Sequence, residues 1–365
     1  MRRALSLAAR GKGKTHPNPM VGAVLVKEKK IVGEGYHKGP GKPHAEVVAL
    51  QDAGDACRGA HLYVTLEPCN HHGRTPPCTD AIIDSGVARL VMACDDPNPA
   101  VRGGGADRLA QAGVRVESGL LEARAHELNA AYEKLVITGR PLVEVKVAAT
   151  ADGRAAARDG DSKWITGVAA RTKVHRMRRE CDAVMVGKGT VEADDPELTV
   201  RMIPLRGARP PLRVVVDSRL TLHLDCRLAQ GGEPGVIVAT TAYHDEGKAE
   251  TLRKRGLEIL VLKDKEGRVD LKELLPALGE KGIAHLLVEG GPTLVASLFG
   301  QGLVDRLSLF LAPKVFGDKR SPSWIEGLVV TDPGSGIVLV WRDICRLGED
   351  LLLRAEVLGS KVVKQ

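Results

Sequence analysis

The sequence predicts an α/β protein of two domains. Three observations lead there: 365 residues are more than one hydrophobic core ordinarily serves, short apolar runs alternate with helical patterns along the chain, and 43% hydrophobic against 27% charged residues is a globular balance. In order, an amphipathic helix is expected near residues 2–10, a strand pair in MVGAVLVKEKKIVGEGYH, and a helix from His44 to Ala53 stopped by Gly54. Then come a strand in AHLYVTLEP, a short helix from Cys78 to Ser85 stopped by Gly86, a strand in ARLVMAC and a helix around Ala106 to Ala112. Strands alternating with helices imply a largely parallel sheet covered on both faces.

A polar helix over Leu121 to Leu135 is followed by TGRP, Thr138 to Pro141, and then by a new strand, LVEVKVAAT. The domain boundary is placed there, giving domains 1–140 and 141–365. Further strands are expected in PLRVVVDS, GVIVATT, LEILVLK, AHLLVEGG and RLSLFLAPKVF. The segment GIVLVWRDICRLGEDLLLRAEVL reads as two antiparallel strands around Gly348-Glu349-Asp350, so the second domain is α/β with an antiparallel edge.

Composition narrows the function. No apolar run approaches the roughly 20 residues of a membrane span, and MRRALSLAAR is too short in its apolar part for a signal peptide, so no membrane association is expected. Seven cysteines, an odd number without an export signal, point to reduced thiols and a cytoplasmic location. The formal charge of +7 favours anions. Scattered basic residues and 3% aromatic content leave little for nucleic acid, so small phosphorylated substrates are the expected partners.

The chemistry concentrates in TLEPCNHHGRTPPCTD, Thr65 to Asp80. Cys69 follows a strand and a proline, while Cys78 follows Pro76 and Pro77 and opens a helix, where the dipole favours a thiolate that Zn²⁺ can bind. The third ligand is suggested by PHAEVVAL. Residues two apart point to opposite sides of an ideal helix, so His44 and Glu46 reach one site only if it lies above the N-terminal mouth. One His and two Cys leave a fourth tetrahedral position for water, the mark of a catalytic zinc, and Glu46 would shuttle the proton. Cys57, Cys94, Cys181, Cys226 and Cys345 have no such context and are expected in the core.

His-x-Glu followed by Pro-Cys and a second Cys is the pattern of zinc-dependent nucleobase deaminases, although here eight residues separate the cysteines where two are usual. HPNPMVGAV, PHAEVVAL and TLEPCNHHGRTPPCTDAI together resemble the deaminase half of the bifunctional riboflavin biosynthesis deaminase/reductase family, whose longer spacing matches. The resemblance implies a cytidine-deaminase-like three-layer domain and substrate contacts from Asn18, His71 and Arg74. His72 is read as a loop residue, and VRGGGAD as a flexible turn.

In the second half, CDAVMVGKGTVEADDPELTVR and AHLLVEGGPTLVASL share a plan of strand, glycine turn and helix, without a Gly-x-Gly-x-x-Gly fingerprint. KVAATADGRAA, DSKWITG, VGKGTVEADDPELTVR and VEGGPTL resemble the reductase half of the same family, similar in fold to dihydrofolate reductase. That resemblance implies NADPH contacts from Ala148, Trp164, Thr190, Asp194, Gly291, Pro292 and Thr293, and substrate contacts from Ser162, Arg178, Leu198, Arg201 and Glu289. Arg178 and Arg201 could clamp a phosphate, but Arg178 lies in HRMRRE, where a solvated helix face competes. Thr150-Ala151 and Val48 depart from the family's commoner Ser-Leu and Asn. The expected activity is hydrolytic deamination of a phosphoribosylamino-pyrimidine, then NADPH-dependent reduction of its ribosyl group to ribityl, in a homo-oligomer. The competing reading is a tRNA-type adenosine deaminase fused to a nucleotide-binding domain.

Overall fold

A computed structural model describes residues 1–71, 76–99 and 104–358, and the chain divides into two units, Met1–Arg140 and the residues from Pro141 onward. The first contains α1 (Arg2–Ala8), β1 (Gly22–Lys27), β2 (Lys30–Tyr36), α2 (Ala45–Ala53), β3 (His61–Val64), α3 (Cys78–Asp84), β4 (Arg89–Met92), α4 (Gly105–Gln111), β5 (Arg115–Glu117) and α5 (Glu122–Thr138). The sheet order is β2-β1-β3-β4-β5.

This sheet is not largely parallel. β1 runs antiparallel to both β2 and β3, and only β3, β4 and β5 are parallel. The reason is local: Glu28 and Lys29, at φ 50° and 62°, make a two-residue hairpin turn, which needs no helical crossover. The strand expected through Pro68 ends at Val64, and the Thr65 hydroxyl accepts from the Gly22 N–H at 3.1 Å. Past α2 the chain does not stop at Gly54 but tightens into a 3₁₀ turn over Gly54–Cys57.

α2 lies on β2 with almost nothing between them. A Cβ on Gly35 would stand 2.3 Å from the Ala45 carbonyl oxygen, and one on Gly33 2.4 Å from that of Ala49. The facing helix positions are Ala45, Ala49 and Ala53, spaced by four on one ridge. α5 ends at Gly139, left-handed at φ 68°, immediately before the boundary.

The second unit contains β6 (Leu142–Thr150), α6 (Val168–Glu180), β7 (Ala183–Gly187), α7 (Lys188–Asp194), β8 (Leu212–Val216), β9 (Val236–Thr241), α8 (Glu246–Lys254) and β10 (Glu258–Leu262). A short ribbon, β11 (Asp264–Lys265) and β12 (Arg268–Val269), leads to α9 (Leu271–Glu280), β13 (His285–Val288), α10 (Pro292–Gly300), β14 (Arg306–Ala312), β15 (Leu339–Leu347) and β16 (Asp350–Val357). Nine strands form one sheet in the order β10-β9-β8-β7-β13-β6-β14-β16-β15. It is parallel from β10 to β14, and β16 and β15 add the antiparallel edge. Alternation decides which face each side chain covers: Ala183 and Met185 enter one buried cluster, Val184 and Val186 the other.

Cys57, Cys94 and Cys181 are buried, whereas Cys226 and Cys345 are partly exposed and pack at the margin of one cluster. Among the described residues no helix is long and apolar enough to cross a membrane.

Each unit has its own buried apolar cluster, so cleaving the chain between Gly139 and Pro141 is expected to leave two fragments that each unfold cooperatively. Calorimetry of the separated fragments checks this; a non-cooperative melt of either would contradict it.

Candidate functional sites

In the first unit two helix N-termini meet. His44 is the N-cap of α2, in extended conformation at φ −71° and ψ 160°, so its ring leaves the helix axis while Glu46 sits in the first turn. This resolves the problem of residues two apart. Cys78 is the first residue of α3, directly after Pro77. His44 Nδ1 lies 3.1 Å from Cys78 Sγ and 3.4 Å from Cys69 Sγ, and the Cys78 N–H donates to Cys69 Sγ at 3.4 Å. The candidate ligand atoms of His44, Cys69 and Cys78 all lie within 4.8 Å of one another.

The Pro68–Cys69 turn is held from behind. Glu67 is buried, and its Oε1 accepts from the Gly105 and Ala106 N–H groups at 3.1 Å each, which fastens the start of α4 to the turn. A Cβ on Gly105 would come within 1.9 Å of the Pro68 carbonyl oxygen, so this glycine permits a close approach rather than a flexible turn. Asn70 Oδ1 accepts from the Thr79 hydroxyl at 3.0 Å and from Arg108 at 2.8 Å, joining loop to α3.

The electrostatics suit a cation. Hydrogen bonding from Cys78 and then from His44 pulls the Cys69 thiol down to about 4, while the same bond pushes Cys78 up, so the pair already favours one thiolate. A divalent ion would draw the second thiol into that form. Burial pushes the Glu46 carboxyl up to about 7, against the opposing pull of His44.

Of the residues expected to meet substrate here, Asn18 is half-buried and its Nδ2 lies 3.1 Å from Nε2 of His37. His37 Nδ1 lies 3.2 Å from the Pro43 carbonyl oxygen, which can only accept, so Nδ1 carries the proton and Nε2 receives the Asn18 amide. Its ring meets that of His44 edge-on at 5.5 Å. The loop bearing Asn18 is secured by α5, where Asn129 pairs with both main-chain groups of Met20 at 2.8 and 3.0 Å. His71 is exposed; Arg74 and His72 lie outside the described residues, as does part of VRGGGAD. Sequence reasoning missed His37, whose one signal is a histidine just past a strand beside the His44 motif.

In the second unit a cleft of about 1310 Å³ opens at the carboxyl ends of the parallel strands. It is lined by Ala148, Ser162, Trp164, Arg178, Thr190, Asp194, Leu198, Arg201, Glu289, Gly291, Pro292 and Thr293, so every residue expected in this half converges on one space. Gly290 and Gly291 turn at φ 127° and 79° into α10, and the Thr190 hydroxyl lies 3.4 Å from the point a Cβ would occupy on either. Ser162 donates to Asp194 Oδ1 at 3.3 Å. Trp164 is 64% exposed with the Arg171 guanidinium 4.2 Å above its ring, which makes it a wall of the cleft rather than core packing.

Arg178 is neither on a solvated face nor a free clamp. Its side chain is 12% exposed and grips Glu289 through two hydrogen bonds of 2.5 and 2.9 Å, with a third to the Thr199 carbonyl at 3.0 Å. Burial alone would raise the Glu289 carboxyl, but Arg178 outweighs it and holds Glu289 below the usual range. Lys146 Nζ stands 4.0 Å from Glu289. It also lines the cleft and was missed, although a lone lysine inside the apolar strand LVEVKVAAT is a signal of a charge aimed at a site. Arg201 is half-exposed, pairs with Glu197 at 2.6 Å, and donates its N–H to His175 Nδ1 at 3.1 Å. Leu198 is buried at φ 55° on the same loop.

Known proteins resemble both units together. Residues 1–94 match the cytidine and deoxycytidylate deaminase zinc-binding region, and residues 141–353 match the RibD C-terminal domain. The riboflavin biosynthesis protein RibD of Aquifex aeolicus is 46% identical over 97% of this chain and 96% of its own length, and that of Escherichia coli 44% identical over 90% and 91%. Among solved structures, Acinetobacter baumannii RibD superimposes with a TM-score of 0.88 at 38% identity, covering 98% of this chain and 97% of its own. A Thermotoga maritima diaminohydroxyphosphoribosylaminopyrimidine deaminase/5-amino-6-(5-phosphoribosylamino)uracil reductase does so at 0.86 and 36%, with the same coverage.

Replacing Arg178 with Met should destabilise the second unit by about 3 kcal/mol or more, because Glu289 would be left buried without its main partner. Urea unfolding followed through this unit checks it; a change under about 0.5 kcal/mol would mean the pair is not what holds the cleft wall.

Proposed function

Because this chain belongs to the RibD family of bifunctional riboflavin biosynthesis enzymes, a deaminase and a reductase in one polypeptide, we propose that residues 1–140 carry the deamination and residues 141–365 the reduction. A tRNA-type adenosine deaminase reading leaves the match over 141–353 without an account. The observation that carries the first assignment is the convergence of His44, Cys69 and Cys78 beside a buried Glu46.

This donor set fits Zn²⁺, with one imidazole and two thiols, one of them already drawn to thiolate. Zinc held there by His44, Cys69 and Cys78 supplies the Lewis acidity that makes water a nucleophile near neutral pH. Glu46 takes one proton from the attacking water and gives it to the ring nitrogen as the C–O bond forms, then passes the proton of the new hydroxyl to the amine, which leaves as ammonia while the ring carbon becomes a carbonyl. A carboxyl raised to about 7 suits both directions of transfer. Asn18, its amide oriented by His37, would hold the pyrimidine, and the resemblance assigns His71 and Arg74 to the substrate and its phosphate.

In the second unit, NADPH is the reductant and supplies a hydride that, with a proton, converts the ribosyl group to an open ribityl chain. Ala148, Trp164 and Asp194 line the cleft and would hold NADPH, and Gly291, Pro292 and Thr293, with Thr190 against their turn, would present the start of α10 to its pyrophosphate. Asp194 is oriented by Ser162. Arg201 meets the substrate phosphate, Leu198 packs against the substrate, and Glu289, fixed by Arg178, bonds its polar groups. The substrates are small phosphorylated pyrimidines, and a cytoplasmic homo-oligomer is the proposed setting.

Purified protein should carry about one zinc per chain, lost in the Cys69→Ser/Cys78→Ser double variant. Glu46→Gln should keep zinc and fold while releasing ammonia about a hundredfold to ten-thousandfold more slowly. Active protein without zinc, or a Glu46→Gln variant near parental rate, would overturn the assignment.

A further inference from the structure

The cleft of the second unit is lined by six arginines, and four already have work: Arg171 stacks on Trp164, Arg178 grips Glu289, Arg201 pairs with Glu197, and Arg227 pairs with Asp195 and Glu197. Arg219 and Arg268 are both exposed, and their side chains make neither ion pair nor hydrogen bond among the described residues. They also share a patch. A Cβ on Gly267, the residue before Arg268, would stand 4.0 Å from Nη2 of Arg219.

The backbone beneath them is fixed. Arg219 follows the carboxyl end of β8, where the Ser218 hydroxyl accepts from the Val269 N–H at 3.0 Å and the Ser218 carbonyl accepts from the Thr241 hydroxyl at 2.8 Å. The end of β8 is thereby tied to β9 and to β12, the strand that carries Arg268. A dinucleotide site that takes an unphosphorylated ribose commonly offers a carboxylate to the diol near a strand end. The acid at this place, Asp217, is 2% exposed, and its oxygens are already used by the Leu222 N–H at 2.7 Å and the Thr221 hydroxyl at 3.4 Å. What remains facing the cleft is two uncompensated guanidinium groups, which suit a phosphate dianion.

We infer that Arg219 and Arg268 form the subsite for a 2′-phosphate on the adenosine ribose of the cofactor, and that they set the preference for NADPH over NADH. The inference rests on the reading of this cleft as a dinucleotide site. The subsite lies beyond the α10 turn proposed for the pyrophosphate, on the strand flanking β7, so nicotinamide, pyrophosphate and ribose phosphate would run along the strand ends.

The test is calorimetric titration of the full chain with NADPH, NADH and 2′,5′-ADP, for the parent and the Arg219→Ala/Arg268→Ala variant. Loss of two charge-assisted contacts should raise the Kd for NADPH and for 2′,5′-ADP about 10- to 100-fold, while the Kd for NADH stays the same and shows that the variant is folded. The conservative double variant, Arg219→Lys/Arg268→Lys, should recover part of the loss by restoring charge. An alanine variant that keeps the parental ratio of NADPH to NADH affinity, whether by binding both as before or by losing both alike, overturns the inference. If the parent binds both dinucleotides equally, the inference alone falls. If it binds neither, the dinucleotide reading of the cleft falls with it.

Discussion

The contact on which the first site depends is the close approach of α2 to β2. Gly33 and Gly35 remove the side chains that would hold the helix off the sheet, and Ala45, Ala49 and Ala53 are small enough to close the seam. The helix mouth therefore has one position relative to the strands, and with it His44 and Glu46. The cysteine loop is set by a separate fastening, in which buried Glu67 ties Pro68 and Cys69 to the start of α4, and Asn70 links the loop to α3 and Arg108. Two rigid fastenings meeting at 3.1 to 3.4 Å make a ligand set that is positioned before any ion arrives.

The second site uses a different physical plan. Its residues come from the ends of parallel strands and the turns that follow them, where main-chain N–H groups and side chains face a common opening. Specific polar groups are then held in pairs along the cleft wall, Arg178 with Glu289 as an ion pair and Ser162 with Asp194 as a hydrogen bond. One unit holds its chemistry in a compact cluster of four side chains, with Glu46 and Cys78 buried and His44 and Cys69 partly so. The other distributes it around a cleft of about 1310 Å³, as an extended cofactor and a sugar phosphate require.

What could be read from the sequence follows from the range of each interaction. His44, Glu46, Cys69 and Cys78 are legible because each sits at an element end marked by proline or by a helical period, and the residues of KVAATADGRAA and VEGGPTL because their order is preserved along the chain. The direction of β1 against β3 is not legible, since apolar periodicity carries no sign of direction, and neither are short elements such as β5. Arg178 is ambiguous in the sequence because the residue that decides its role, Glu289, lies 111 positions away. His37 and Lys146 escape for a related reason: the partners that give them a role, Asn18 and Glu289, are brought to them only by the fold.

The central claim is that each unit holds a complete site of its own, with the zinc chemistry confined to the first. The direct measurement is NADPH oxidation by the full chain after its zinc has been stripped with a chelator, using 5-amino-6-(5-phosphoribosylamino)uracil as substrate. The account predicts oxidation at the rate of the zinc-loaded enzyme, and no oxidation when the diaminopyrimidine is supplied in its place. Loss of oxidation with the deaminated substrate would contradict the account, because it would make the cleft depend on the cluster of His44, Cys69 and Cys78.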